Sequence, residues 1–273
     1  MTEQQTRQYY DQAMLRDERR WVRDIRKMFA QQLRDLRDLI KRTQSPQAII
    51  EELPKVINAE GTLALYQRLY QAQGEKYYTT TQESLKGDKT AAIRLISKTY
   101  QQKKLDPNDP YFTHMAALVE SKVGYRVRTI QQTSREFAIR AIQAATEQIQ
   151  AEGLGIVEGA NLIETTVRQE WRRTAGFRAA RIARTEVGTL SNMASDLGAQ
   201  NTGLEYTKKW LAFIDDRTRL SHAEANGMEV AKGQPFNLAG AELMHPSDPG
   251  APPEEVINCR CVLQYIAPEF TVE

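Results

Sequence analysis

The sequence predicts a mainly α protein, with an elongated N-terminal helical region followed by a small C-terminal α+β module. Two observations lead to this class. Apolar residues recur at steps of three and four through most of the first 200 positions, which is the period of amphipathic helices. After Gly203 glycine, proline and asparagine become dense, and short apolar runs of strand length appear. We therefore expect three parts, namely residues 1–152, 153–203 and 204–273.

The first helices are indicated by an apolar stripe and by proline positions. The stripe runs over residues 21–40, with arginines and aspartates between its members. Ser45-Pro46 ends this helix and starts the next, with Ser45 as the N-cap and Pro46 at the first helical position. Pro54 is expected to break or kink the second helix, because its ring clashes with the preceding turn. A shorter helix is predicted over residues 90–104.

Asp109-Pro110 repeats the N-cap arrangement and opens a long helical pattern over residues 111–151. We expect an interruption of this pattern at Gly124 and a stop at Gly153, since glycine favours helix C-termini. The remaining predicted elements are two helices followed by two strands: residues 156–171, 174–200, 205–214 and 262–266.

Composition limits the class of protein. Hydrophobic residues make up 41% and charged residues 26%, as in soluble globular proteins. No apolar run approaches the roughly 20 residues that a membrane span needs, and no secretory signal is expected at the N-terminus. Two cysteines separated by one residue do not form an extracellular disulfide framework. We therefore expect the chain to be made and kept in a cytoplasm.

The net charge of +2 conceals an uneven distribution. Residues 205–273 carry six basic and eleven acidic side chains, whereas residues 1–204 carry 31 basic and 24 acidic ones. Part of the basic excess lies in residues 168–184, where Glu170 is the only acidic residue. Such a patch would suit DNA phosphates or an acidic protein surface, and the alternative is a solvated helix face. The candidate DNA-binding residues are Arg168, Arg172, Arg173, Arg178 and Arg181.

An ordered series of short motifs fills the last part of the chain. In chain order they are Ala183-Arg184-Thr185-Glu186, Gly203, Trp210, Asp215-Asp216-Arg217-Thr218-Arg219, His222, Asn226-Gly227, Pro235-Phe236, Pro246-Ser247-Asp248-Pro249 and Asn258-Cys259-Arg260-Cys261. Over roughly residues 153–266 this series resembles the minor head proteins of tailed bacteriophages. That is the head-morphogenesis family typified by the F protein of phage Mu.

The resemblance implies a structural minor head (minor capsid) protein rather than an enzyme. It would sit inside the head near the portal and assist head assembly, DNA packaging or ejection. The implied partners are the portal protein, the major capsid protein or the scaffold, with weak, non-specific binding of packaged DNA and no membrane. The implied location is the capsid interior, after assembly in the host cytoplasm. Residues 1–152 would then contact capsid or portal, and residues 204–273 would carry the motifs.

Zinc is the one cofactor that the pattern suggests. Many members of the family have cysteines where this chain has Arg219 and His222, so a four-thiolate site is excluded here. The remaining candidate ligands are His222, His245, Cys259 and Cys261, with Asp248 or Asp215 as oxygen alternatives. The alternative is that the cysteines alternate at the start of a strand, one of them buried as a small hydrophobe. No disulfide is expected, because we expect the two side chains to point to opposite faces.

The other motif residues have a structural and an enzymatic interpretation. In the first, they satisfy backbone groups of a loop-rich module, and Arg184 or Glu186 clamps one of its loops. In the second, Asp215, His222 and Asp248 form the site of a metal-dependent nuclease or a transferase, or Glu186 is catalytic. We favour the structural interpretation. Its residues are Arg184, Glu186, Trp210, Asp215, Asp216, Arg217, Asn226, Gly227, Asp248, Asn258 and Arg260.

Overall fold

The structure is a computed structural model that describes residues 2–43, 45–88, 90, 95 and 105–268. It confirms the predicted class, a mainly helical chain with a long N-terminal helical region and a small C-terminal module of strands. The helices are α1 (Glu3–Thr43), α2 (Pro46–Val56), α3 (Glu60–Leu85), α4 (Pro110–Leu118), α5 (Gly124–Glu152), α6 (Ile156–Gln200), α7 (Leu220–Glu224) and α8 (Pro253–Val256). The strands are β1 (Thr207–Leu211), β2 (Glu229–Ala231), β3 (Phe236–Leu238), β4 (Ala241–Leu243) and β5 (Val262–Ile266).

Several predicted helix ends are confirmed by their capping geometry. The Ser45 hydroxyl accepts a hydrogen bond from the Ala48 amide at 3.4 Å, and the Asp109 carboxylate caps α4. Gly153 ends α5 in the left-handed conformation with φ 64°. Pro54 lies inside α2, and the helix ends two residues later at Val56. A proline this close to the C-terminus interrupts little of the helix. The helix predicted over residues 90–104 lies almost wholly outside the described residues.

Helix α6 differs from the prediction, because the expected boundary between Trp171 and Thr174 does not exist. The helix continues for 45 residues. Arginine is a good helix former at positions 172 and 173, and the Thr174 hydroxyl bonds back to the Glu170 carbonyl at 3.1 Å without leaving the helix. The interruption expected at Gly124 takes the form of a π-helical turn over Val119–Val123, which joins α4 to α5.

The chain forms two compact units that do not follow chain order. Unit 1 combines Met1–Trp21, Gln67–Lys122 and Arg181–Glu273, and unit 2 combines Val22–Tyr66 and Val123–Ala180. The division into functional parts at residues 152 and 203 stays a prediction. Within the described ranges, no helix is both long and apolar enough to span a membrane.

Unit 2 is a helical bundle with an apolar core. Its buried side chains include Ile25, Phe29, Leu36, Leu53 and Ile142. The Trp171 indole donates to the backbone carbonyl of residue 29 at 3.0 Å.

Unit 1 contains both sheets. Strands β2, β1 and β5 form an antiparallel sheet with β1 in the centre, and β3 pairs with β4. Trp210 of β1 is opposite Leu263 of β5 and is fully buried, with its ring edge against Phe236 at a centroid distance of 5.2 Å. The first turn of α1 reaches this sheet, where Glu3 pairs with Lys209 at 2.9 Å. The module is therefore built on the helices of unit 1.

Candidate functional site

A histidine and both cysteines converge inside unit 1. The exposed fraction of His222 is 2%, that of Cys259 is 2% and that of Cys261 is 3%. The Nδ1 atom of His222 lies 3.6 Å from the Cys259 Sγ and 3.4 Å from the Cys261 Sγ. The three side chains could offer ligand atoms that all lie within 4.8 Å of one another. On the other side of the ring, Nε2 lies 2.9 Å from Glu255 Oε2.

Both cysteine side chains point the same way, so the expectation that they diverge is wrong. Side chains two residues apart in an extended chain share one face, and Cys259 and Cys261 stand at such a spacing just before β5. Both thiols are free and buried. Burial of both, rather than of one, makes the pair a single polar centre inside an apolar core that includes Trp210 and Phe236.

The charge of this cluster is shared unequally. The pKa of the Cys259 thiol is lowered, first by its hydrogen bond with Cys261 and then by His222. The pKa of Cys261 is raised, first by that same bond with Cys259 and then by burial. Burial disfavours the charged imidazole of His222, yet its pKa is raised because the neighbouring Cys259 thiolate outweighs the burial. Cys259 is therefore the thiol that ionises first.

The arrangement fits the donor set of a metal centre. In a tetrahedral zinc site with Zn–S of about 2.3 Å and Zn–N of about 2.0–2.1 Å, neighbouring ligand atoms are roughly 3.5 Å apart. The two Nδ1–Sγ distances agree with that value. Glu255 accepts from the other nitrogen of His222, which is the outer contact that orients ligating histidines. Among the described histidine, cysteine and acidic side chains, no fourth one joins the group.

One face of α6 holds the backbone around the cluster. Thr185 Oγ1 accepts from the Asn258 amide at 3.1 Å, and Thr189 Oγ1 donates to the Ser247 carbonyl at 3.0 Å. Asn192 Nδ2 donates to the Cys261 carbonyl at 3.0 Å. These three side chains stand at i, i+4 and i+7 and so share one face of the helix. Sequence reasoning missed this face; the signal was the spacing of Thr185, Thr189 and Asn192 beside an apolar stripe.

Gly188 lies between these three side chains and allows the cysteine loop to approach. A Cβ atom at this position would lie 3.0 Å from Ser247 Oγ and 3.1 Å from the Cys259 carbonyl oxygen. Ser247 itself has φ 59°, which is strained for a residue with a side chain. Its hydroxyl is buried without an oxygen or nitrogen partner among the described residues, and it helps to lower the pKa of Cys259.

The contact between this motif and the loop of the terminal module is made by Thr185, whereas the prediction assigned it to Arg184 or Glu186. Arg184 Nη2 pairs with Glu18 Oε1 of α1 at 3.0 Å. Glu186 Oε2 accepts a hydrogen bond from the Tyr70 hydroxyl of α3 at 2.7 Å. The two charged residues of the motif therefore bind other helices of unit 1, while the threonine between them binds the loop.

The Asp215 turn is held by its own neighbours. The Asp215 carboxylate accepts from the Arg217 amide at 3.0 Å and from Arg260 Nη2 at 2.6 Å, and the Arg260 bond is the first cause of its lowered pKa. The Asp216 side chain is 92% exposed. Arg219 donates to the Ile257 carbonyl rather than facing the cluster.

Other motif residues satisfy backbone groups, as the structural interpretation expects. Asn226 Oδ1 accepts from the Ala212 amide at 3.0 Å, and Gly227 follows with φ 87°. The Asp248 carboxylate accepts from the amides of residues 244 and 250 at 3.0 and 2.8 Å. Asn258 adopts φ 61°. His245 is buried apart from the cluster, with its Nδ1 3.0 Å from the Pro246 carbonyl.

The candidate DNA-binding arginines do not form one surface set. Arg172 and Arg173 are exposed, and Arg173 pairs with Glu170 at 2.7 Å. Arg168 is half-buried, and Arg181 is exposed. The prediction that Arg178 binds DNA was wrong, because its guanidinium is buried over the Phe29 ring at 4.7 Å and the Phe137 ring at 5.0 Å. Aromatic faces attract a guanidinium, so this arginine belongs to the core of unit 2.

Comparison with known proteins gives two matches. Residues 140–264 match the family described as Phage Mu protein F like protein. A stretch of 124 residues is 36% identical to the NAD(+)–arginine ADP-ribosyltransferase EFV of Enterococcus faecalis, covering 42% of this chain and 25% of that protein. The match therefore spans about a quarter of that relative's length. No solved structure matches.

Proposed function

We propose that this chain is a structural minor head protein of a tailed phage, because residues 140–264 match the family described as Phage Mu protein F like protein. It sits inside the head, docks on the portal, the major capsid protein or the scaffold, and assists head assembly, DNA packaging or ejection. The observation that carries the proposal is the extent of the family match. It includes the α6 face, the histidine–dithiol cluster and most of the strand module, which form one connected piece of unit 1.

Incorporation into heads tests the proposal. Charged substitutions at Ile25 and Leu36 would not test docking, as both side chains are fully buried and the change would unfold unit 2. Exposed apolar side chains of unit 2 are the better targets, and Ile156, Val157 and Phe177 are each at least 70% exposed. Because these side chains are exposed, replacing them removes little core packing, so a loss of incorporation would report on docking.

We expect Phe177→Glu, or the pair Ile156→Asp and Val157→Asp, to reduce incorporation into heads without lowering the melting temperature. The matched control is Arg172→Ala with Arg173→Ala on the same helix, which should be incorporated normally. If purified heads contain neither the unsubstituted chain nor any of its variants, the proposal is contradicted.

DNA binding is the alternative function with some support, from the exposed Arg172 and Arg173. Burial of Arg178 and the pairing of Arg173 with Glu170 reduce the charge that DNA could use. We expect weak, sequence-independent binding that disappears near physiological salt, because phosphate contacts are lost steeply with salt. Binding that persists in physiological salt and is abolished by Arg172→Ala with Arg173→Ala would favour the DNA-binding alternative.

We propose no enzymatic activity for this chain. The printed name of the Enterococcus relative is that of a transferase, but the match spans a quarter of that protein. Among the described residues, Asp215 and Asp248 do not join His222 in one cluster, and each is occupied by hydrogen bonds of its own loop. Metal-dependent DNA cleavage that His222→Ala abolishes would overturn this part of the proposal.

A zinc ion held by three protein ligands is part of the proposal. His222, Cys259 and Cys261 would hold it, and Glu255 would fix the orientation of the imidazole. Bound zinc would supply folding energy to a module with few large apolar residues. Elemental analysis of protein made without an affinity tag should find about one equivalent. The control variant Cys259→Ser should purify without the metal. Purified protein that contains no zinc, and whose melting temperature does not change on addition of a chelator, would contradict the zinc proposal.

A further inference from the structure

A lysine and an aspartate are buried together between α6 and the three-stranded sheet of unit 1. Lys208 of β1 is 0% exposed, and Asp196 of α6 is 4% exposed. Lys208 Nζ lies 3.8 Å from Asp196 Oδ1, which is longer than a hydrogen bond. Lys208 is opposite Tyr265 of β5, and residues opposite each other on antiparallel strands share one face of the sheet. The three side chains therefore meet where this face contacts α6.

The two carboxylate oxygens of Asp196 have different surroundings. Oδ2 accepts from Gln200 Nε2 at 2.7 Å, and both residues line a cavity of about 380 Å³. Oδ1 makes no hydrogen bond with the described residues, and neither does the buried hydroxyl of Tyr265. The other buried carboxylate near Lys208, that of Asp248, differs because backbone amides donate to both of its oxygens. Asp196 is thus the carboxyl group that the lysine amine can attack.

Burial favours the neutral forms of this pair. It lowers the pKa of the Lys208 ammonium, and the charges of Asp196 and Asp248 offset this effect only in part. Transfer of one proton from the ammonium to Asp196 Oδ2 removes both charges from a desolvated site. Burial also raises the pKa of Tyr265, which keeps its hydroxyl protonated. The site therefore holds a neutral amine, which is a nucleophile, beside a carboxylic acid.

We propose that Lys208 and Asp196 form an intramolecular amide bond that joins β1 to α6. The Lys208 nitrogen attacks Asp196 Cγ, and the negative charge that develops on Oδ1 accepts a hydrogen bond from the Tyr265 hydroxyl. One proton then moves from the nitrogen to Oδ2, the Cγ–Oδ2 bond breaks, and one water molecule leaves through the cavity. No oxidant or other reactant is consumed. Groups held in contact react with effective molarities of about 10⁵–10⁸ M, which favours a condensation that is unfavourable between free solutes.

Mass spectrometry of the purified full chain tests this bond, and the inference does not rest on the proposed function. The denatured chain should be lighter than its sequence by one water molecule. Trypsin and a glutamate-specific protease should release residues 187–205 and 206–209 as one species, because the bond holds Asp196 to Lys208. Without the bond, trypsin cleaves after Lys208 and the two segments separate. A water lost at Asp196 alone, as in a succinimide, also leaves the segments separate and would count against the bond.

Three variants assign the bond to its residues. Lys208→Arg keeps the positive charge but has no nucleophilic amine, so it should keep the full mass of its sequence. The matched control is Lys209→Arg, which should lose water like the parent. Lys209 points to the other face of the sheet, where it pairs with Glu3 and Glu229 at 2.9 Å. Tyr265→Phe should form the bond about 10²-fold more slowly, because it lacks the donor to Oδ1.

The digest of the unsubstituted chain decides the question even if Lys208→Arg does not fold. Separate segments together with an unchanged mass in the folded parent would overturn the inference. A linked species that persists in Lys208→Arg would overturn it as well. Absence of the chain from heads would instead bear on the proposed function alone.

Discussion

Replacement of Asn192 by alanine should destabilise unit 1 strongly. Asn192 is 1% exposed, and its side-chain amide donates to the carbonyls of Gly188 at 2.9 Å and Cys261 at 3.0 Å. The Gly188 carbonyl lies inside α6 and keeps its helical environment. The Cys261 carbonyl would lose a donor inside the core, and an unsatisfied buried acceptor costs about 1–3 kcal/mol.

The small cavity left by the shorter side chain adds to this penalty, so we expect a total loss of about 2–3 kcal/mol in the free energy of unfolding. Urea unfolding followed by fluorescence measures it, and Trp210 reports on the same core once Trp21 and Trp171 are replaced by phenylalanine. The matched control is Asn237→Ala, at an exposed position of β3, which should stay within about 0.5 kcal/mol of the parent. Equal unfolding free energies of the two variants would refute the importance of the α6 face.

Three further predictions concern stability. Asp216→Ala should leave the unfolding free energy unchanged, and Arg260→Ala should lower it by no more than about 1 kcal/mol, because its pair with the Asp215 turn is partly exposed; urea melts would show a larger loss if this is wrong. Gly198→Ala should be destabilising despite better helix propensity, since its Cβ would lie 2.4 Å from a backbone oxygen, while Gly61→Ala, with open space around it, should be neutral or stabilising in the same thermal melts. Burial raises the pKa of Tyr77, so its contribution to stability is complete below the unfolded value of 10.0 and is lost as the pH rises above it; a Tyr77→Phe variant whose melting temperature falls as steeply above pH 10 as that of the parent would contradict this.

Local signals predicted the elements well, because their causes are local. The caps at Ser45 and Asp109 and the left-handed Gly153 depend on a few adjacent residues, and all three are confirmed. Strand β5 was predicted at the residues where it occurs, since its apolar run is bounded by loop residues. The boundary expected near Thr174 was wrong because Arg172 and Arg173 are good helix formers and the Thr174 hydroxyl bonds back to the Glu170 carbonyl inside the helix.

The candidate site could be predicted only in part, because its geometry depends on distant residues. The motif series pointed to His222, Cys259 and Cys261, which the structure brings together, and to His245, which it does not. Nothing in the local sequence indicated that Glu255 would face the imidazole. Burial of Arg178 was equally hidden, as its aromatic partners lie far away in the chain.

The contact between the first turn of α1 and the strand module has a consequence for the order of folding. Arg7 Nη2 donates to Asn226 Oδ1 at 2.8 Å across a separation of 219 residues, so unit 1 closes only after nearly the whole chain has been synthesised. The long contacts of unit 2 span fewer residues, such as the bond from the Trp171 indole to the backbone carbonyl of residue 29 across 142 residues. Closing the larger loop costs more chain entropy and slows folding. Unit 2 should therefore gain protection from hydrogen exchange first, and the histidine–dithiol cluster should be enclosed last.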